Sequence, residues 1–139
     1  MTKKAVNICI IDDDEIYQFT AIQTLKKIDI EKNVTSFYDG EEAFNFFLDN
    51  INTESNLPDV ILLDINMPVM DGFQFMDAYV KLKSKIKKNI TIYMVSSSVD
   101  PADMKKVEDY KDIIGYIVKP MKRGDLLTKF EDLQEKGVI

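Results

Sequence analysis

The stretch Val60-Ile61-Leu62-Leu63-Asp64-Ile65-Asn66-Met67-Pro68-Val69-Met70-Asp71-Gly72 decides the fold. Four consecutive apolar residues lead to a carboxylate, and a loop punctuated by Pro68 and Gly72 follows. So short an apolar run, with no polar alternation, reads as a strand covered on both faces. In open α/β sheets the groups just past the carboxyl ends of such strands face a crevice. Asp64 stands at that point, placed to react rather than merely to be solvated.

Outward from this stretch, short apolar runs alternate with longer amphipathic ones. Strand-like runs, rich in Val, Ile and aromatics, occupy 5–11, 33–37, 59–63, 90–95 and 115–118. Helical patterns occupy 14–28, 40–50, 71–85, 100–109 and 122–136. Asp100-Pro101 supplies an N-cap acceptor and a proline for the first helical position. Asp39-Gly40-Glu41-Glu42 supplies a turn followed by acids in a first helical turn. Ala21, Ile22, Leu25 and Ile28 form one apolar face of the first helix, and Leu126, Leu127, Phe130 and Leu133 one of the last. The lysines between 81 and 88 read as a solvated face near a helix C-terminus, and 50–56 as an inserted polar loop. Five β-α repeats predict an α/β fold with right-handed crossovers: a five-stranded parallel sheet doubly wound with five helices. The flavodoxin-like strand order is 2-1-3-4-5. Residues 1–139 read as a single domain with no output domain.

The chain has 139 residues, 45% hydrophobic and 30% charged, which suits one globular core. A net charge of -6 disfavours direct nucleic-acid binding and attraction to anionic membranes. No stretch is apolar for long enough to insert into a membrane, and no signal peptide is evident. The single cysteine, Cys9, rules out a disulfide within the chain and reads as a buried thiol. A cytoplasmic location is the expectation. The chain contains no histidine, which removes Ser-His-Asp and Cys-His catalysis and ordinary zinc sites. Metal chemistry here runs through oxygen ligands, hence Mg²⁺, Mn²⁺ or Ca²⁺.

On this skeleton, Asp12, Asp13 and Asp14 follow the first strand, Asp64 the third, Ser96 to Ser98 the fourth and Lys119-Pro120 the fifth. Parallel strands bring all of them to one edge, and strands 1 and 3 flank the topological switch point. Taken singly, the acid run caps a helix, the serines make a turn and the lysine lies on the surface. Taken together they converge. Crowded carboxylates repel one another, and a hard dication such as Mg²⁺ relieves this. Lys119 is a flexible point charge suited to a phosphate oxygen, and the Ser96 hydroxyl completes the cradle. The set reads as a phosphoryl-transfer site with a carboxylate nucleophile.

Four segments then resemble the receiver domain of two-component response regulators. They are Ile10-Ile11-Asp12-Asp13-Asp14-Glu15, Leu62 to Gly72, Met94-Val95-Ser96-Ser97, and Gly115-Tyr116-Ile117-Val118-Lys119-Pro120. The resemblance implies that Asp64 is the phosphoacceptor, attacking a phosphohistidine on a sensor histidine kinase or histidine phosphotransfer protein. It implies a metal site of Asp12, Asp13, Asp64 and the main-chain carbonyl of Asn66, holding Mg²⁺ or Mn²⁺, and no organic cofactor. Lys119 would contact the phosphoryl group, and its bond to Pro120 would be cis. Ser96 and Tyr116 would be the hydroxyl and aromatic switch residues, altering the surface of helix 4, strand 5 and helix 5 for a downstream protein target. The state would be a monomer or a phosphorylation-dependent dimer, and the protein would not turn over a small-molecule substrate. Asn66 and Ser98 hold positions that tune phosphoryl lifetime in the family. Ile16 and Tyr17, beside the acids, are either a kinase contact or a hydrophobic lip of the core.

Three other classes compete. Asp12-x-Asp14 mimics the acid pair of a haloacid-dehalogenase-like phosphatase, although Asp64 then precedes Ser96 and Lys119 against that family's order. A phosphate-independent receiver-like binding module would be expected to have lost one of Asp12, Asp13, Asp64, Ser96 and Lys119. A flavin-binding flavodoxin relative would need Gly, Ser and Thr donors where acids follow the first strand.

Overall fold

The computed structural model of this chain describes residues 5–97, 100–119, 123–137 and 139. All five residues of β3 (Val60–Asp64) are buried, as a central strand covered on both faces requires. Beside it run β1 (Val6–Ile11) and β4 (Thr91–Ser96), with β2 (Lys32–Phe37) and β5 (Ile113–Val118) at the edges. The order is β2-β1-β3-β4-β5, and every pairing is parallel. Ile10 pairs with Leu62, Leu63 with Met94 and Val95 with Ile117, which fixes the register across the middle of the sheet.

The helices are α1 (Glu15–Lys26), α2 (Gly40–Asp49), α3 (Gly72–Leu82), α4 (Pro101–Val107) and α5 (Arg123–Glu135). The two-residue period of the strands sorts their side chains into two cores. Cys9, Ile11, Ile61, Leu63, Ile92 and Met94 pack with Phe47 of α2, Phe75 and Tyr79 of α3 and Val107 of α4. Ile8, Ile10, Val60, Leu62, Tyr93 and Val95 pack with Ala21 and Leu25 of α1 and with Leu126 and Phe130 of α5. Asp14, Asp39, Asp71 and Asp100 cap α1 to α4, each accepting from backbone N–H groups of the first turn. The carboxylates thus satisfy donors that a helix start leaves open and favour its dipole.

Several boundaries differ from the sequence expectation. Asp64 is the last residue of β3, paired with Val95, rather than the first beyond it. β5 starts earlier because a bulge sets Ile92 opposite Ile113 and Tyr93 opposite Gly115, leaving Ile114 as an extra, exposed residue. A Cβ on Gly115 would lie 2.9 Å from the Tyr93 ring, so the bulge depends on glycine there. α3 stops at Leu82 and a 3-10 turn, Lys83–Lys85, follows. The lysine run is therefore not simply a solvated face. Lys83 pairs with Asp112, while Lys88 Nζ lies 3.1 Å from Asp59 and donates to the Leu57 carbonyl at 2.7 Å. The 50–56 loop folds on itself through a 3-10 turn, Glu54–Asn56, and an Asn56 to Asn50 hydrogen bond of 2.9 Å.

Candidate functional site

The carboxyl edge of the sheet gathers the predicted residues. Asp12 leaves β1 with its N–H bonded to the Phe37 carbonyl at 3.0 Å, and its side chain is fully buried. Its Oδ1 accepts from the Asp14 N–H at 2.9 Å, so the acid run is wound into the start of α1. Asp13 is exposed and Asp64 is only 4% exposed. One carboxylate oxygen from each of Asp12, Asp13 and Asp64 lies within 4.8 Å of the others. Lys119 reaches across from the end of β5, its Nζ 2.7 Å from Asp12 Oδ2 and 3.4 Å from Asp64 Oδ1. Its N–H donates to the carbonyl of buried Ser96 at 2.9 Å, tying the ends of β4 and β5 together. Asn66 is exposed two residues past Asp64, and Tyr116 is half-buried against the core under α2, α3 and α4. The Pro120 bond and Ser98 lie outside the described residues.

Two buried carboxylates share one ammonium, and the electrostatics follow. Burial, then the charge of Asp12, push Asp64 up to about 7 against the pull of Lys119. Burial also raises Asp12, with Lys119 and the Asp14 N–H opposing. Burial alone would lower Lys119, but Asp12 and Asp64 outweigh it and hold the lysine above its ordinary range. The site is short of positive charge, and its donors are all carboxylate oxygens. That donor set suits a hard dication such as Mg²⁺.

The loop after Asp64 is shaped by close approach. A Cβ on Gly72 would fall 2.5 Å from the Asp64 carbonyl, so glycine is required where α3 starts against β3. Gly72 donates to the Ile65 carbonyl at 2.8 Å, and Met70 to Pro68 at 2.7 Å. Val69, between Pro68 and Met70, has φ 67, an uncommon value for a β-branched residue.

One group at the site escapes sequence reasoning, and another is placed more closely than the sequence reading put it. Gln18 of α1 is buried, and its Nε2 donates to the carbonyls of Ile10 (3.1 Å), Asp12 (3.1 Å) and Phe37 (3.0 Å). It fixes the backbone that carries the acids. A lone polar residue in a helix gives no sign of this. Tyr17 and Ile16 separate rather than acting as a pair: Ile16 is 79% exposed, while Tyr17 is buried under the ammonium of Lys119, 4.3 Å from its ring centroid.

The model of the response regulator receiver domain family matches residues 8–131. A two-component response regulator from Cytophaga hutchinsonii is 25% identical in sequence, with a TM-score of 0.84 over 96% of this chain and 99% of that one. A response regulator receiver protein from Dyadobacter fermentans is 29% identical, with a TM-score of 0.74 over 92% of this chain and 97% of that one. The transcriptional regulatory protein PrrA of Mycobacterium tuberculosis is 29% identical over 91% of this chain and 48% of its own length. This chain therefore spans about half the length of such curated relatives. No described helix is long and apolar enough to cross a membrane. The match leaves the phosphatase and flavodoxin alternatives without support. Parallel order, acid cluster and sequence family agree: the chain belongs to the response regulator receiver domain family, whose members signal in two-component systems.

Proposed function

We propose that Asp64 is a phosphoacceptor that takes a phosphoryl group from a phosphohistidine on a sensor histidine kinase or phosphotransfer protein in the cytoplasm. The observation that carries this is the buried Asp64 carboxylate, 3.4 Å from Lys119 and clustered with Asp12 and Asp13. An Asp64 oxygen attacks phosphorus, the P–N bond breaks, and the electron pair stays with the imidazole nitrogen, which takes up a proton. With no histidine among these 139 residues, that imidazole lies outside them. Lys119 meets the charge on the phosphoryl oxygens, and the Ser96 hydroxyl is the group that turns toward them. Asp12, Asp13, Asp64 and the Asn66 carbonyl hold Mg²⁺ or Mn²⁺, which when bound neutralises charge on the transferring group.

Tyr116 responds to Ser96, and the surface of α4, β5 and α5 is the one a downstream protein reads. Ile16 and Phe19, both exposed on α1 close to the acids, face the phosphodonor. The receiver is monomeric or dimerises on phosphorylation. Labelling with acetyl phosphate and Mg²⁺ tests the acceptor. The native chain takes up a hydroxylamine-labile phosphoryl group and Asp64→Asn takes up none. Equal labelling of the two would refute the assignment.

A further inference from the structure

Tyr17 is the one aromatic ring against the ammonium of Lys119 among the described residues, with Nζ 4.3 Å from its centroid. Its backbone is anchored, because its N–H donates to Asp14 Oδ1 at 3.2 Å in the capped first turn of α1. Its ring is nearly buried and belongs to the core under α1 and α5. On its other contacts the same ammonium meets Asp12 Oδ2 and Asp64 Oδ1, at 2.7 and 3.4 Å. Lysine has a four-carbon flexible stem and loses much rotamer freedom when held in one place. Two carboxylates alone would leave the ammonium free to settle on whichever is more negative at the moment. A ring face adds a third, neutral attraction that does not change when Asp64 does. Its quadrupole draws the cation most strongly where water is excluded.

We infer that Tyr17 is a positioning residue for phosphoryl transfer: its ring holds Lys119 over the acceptor while the charge on Asp64 changes. The inference rests on Asp64 being the phosphoacceptor. It also gives Tyr17 a role inside the site in place of a contact with the kinase. Phosphorylation by a small donor, which needs no partner surface, then depends on the ring as much as transfer from a partner does. The contact is made by the ring face, so phenylalanine keeps it and an aliphatic side chain does not.

The test pairs a spectroscopic signature with a rate. Protons above an aromatic face are shifted upfield by its ring current. In the wild-type chain the Lys119 ε-methylene protons are expected upfield of ordinary lysines, to stay there in Tyr17→Phe, and to return to the ordinary value in Tyr17→Leu. Labelling by acetyl phosphate with Mg²⁺ is expected to match wild type in Tyr17→Phe and to slow about tenfold in Tyr17→Leu. A wild-type lysine signal at the ordinary position would overturn the contact without any variant having to fold. Wild-type labelling rates in Tyr17→Leu, or equal slowing in Tyr17→Phe, would overturn the role. If the wild type itself were not labelled at Asp64, the acceptor assignment would fail while the ring-current result still stood on its own.

Discussion

At the scale of single residues, the site is a charge imbalance held in place by burial. Asp64, raised to about 7, binds its proton more tightly in the folded chain than in the unfolded one. A carboxyl raised in this way contributes stability that is complete below its unfolded value near pH 4. That contribution disappears as pH rises through the folded value. Asp12 is shifted in the same direction and adds to the slope. Urea unfolding of the metal-stripped protein should therefore show stability falling between about pH 4 and pH 7, on the order of 2–4 kcal/mol. Asp64→Asn should remove much of that slope, and Mg²⁺ should flatten it by pairing with the ionised acids. A pH-independent midpoint without metal would mean that the carboxylates are not in conflict. Asp12, Asp64, Ser96 and Lys119 were legible in the sequence because each ends a recognisable strand. Gln18 was not, and Tyr17 was legible only as a partner contact or a lip of the core. An aromatic or an amide in a first helical turn looks the same whether it serves the core, the surface or a neighbouring site.

At the scale of elements, the connection from β3 to α3 sets the acceptor. Gly72 lies against the Asp64 carbonyl, where a Cβ would be 2.5 Å away. Gly72→Ala should push α3 away from β3, destabilise the chain by about 1–3 kcal/mol and slow labelling of Asp64. Thermal unfolding and acetyl phosphate labelling measure the two effects, and an alanine variant as stable and as fast as wild type would show that the loop yields freely. The elements themselves were readable from period. β3 is an unbroken apolar run, and aspartates precede α1 to α4. What periodicity missed are the places where tertiary pairing decides. The Ile114 bulge belongs to the packing of Gly115 on Tyr93, and the end of α3 at Leu82 leads to the pairing of Lys83 with Asp112. Neither partner is near in sequence, so no local pattern announces them.

At the scale of the whole molecule, the strand order is what turns separate acids into a site. With β1 and β3 adjacent and β5 at the edge, Asp12 and Asp64 meet and Lys119 crosses to both. Five β-α repeats imply a parallel, doubly wound sheet, and the flavodoxin-like order assumed for it is the one observed, so the fold and the convergence of the site were both readable before any coordinates. The distances and the burial that set the charge imbalance were not. A ligand that binds only this folded arrangement stabilises it by mass action, about 2.7 kcal/mol at a hundred times its dissociation constant. Mg²⁺ should accordingly raise the melting temperature of the wild type and raise that of Asp13→Asn much less. An equal rise in both would place the metal elsewhere. The central claim is that Asp64, and neither of the neighbouring acids, carries the phosphoryl group. Borohydride reduction of the acetyl phosphate-treated protein converts a phosphorylated aspartate to homoserine, which peptide mass spectrometry then locates. Homoserine at position 64, dependent on Mg²⁺, is the expected result; homoserine at position 12 or 13, or at none of the three, would contradict it.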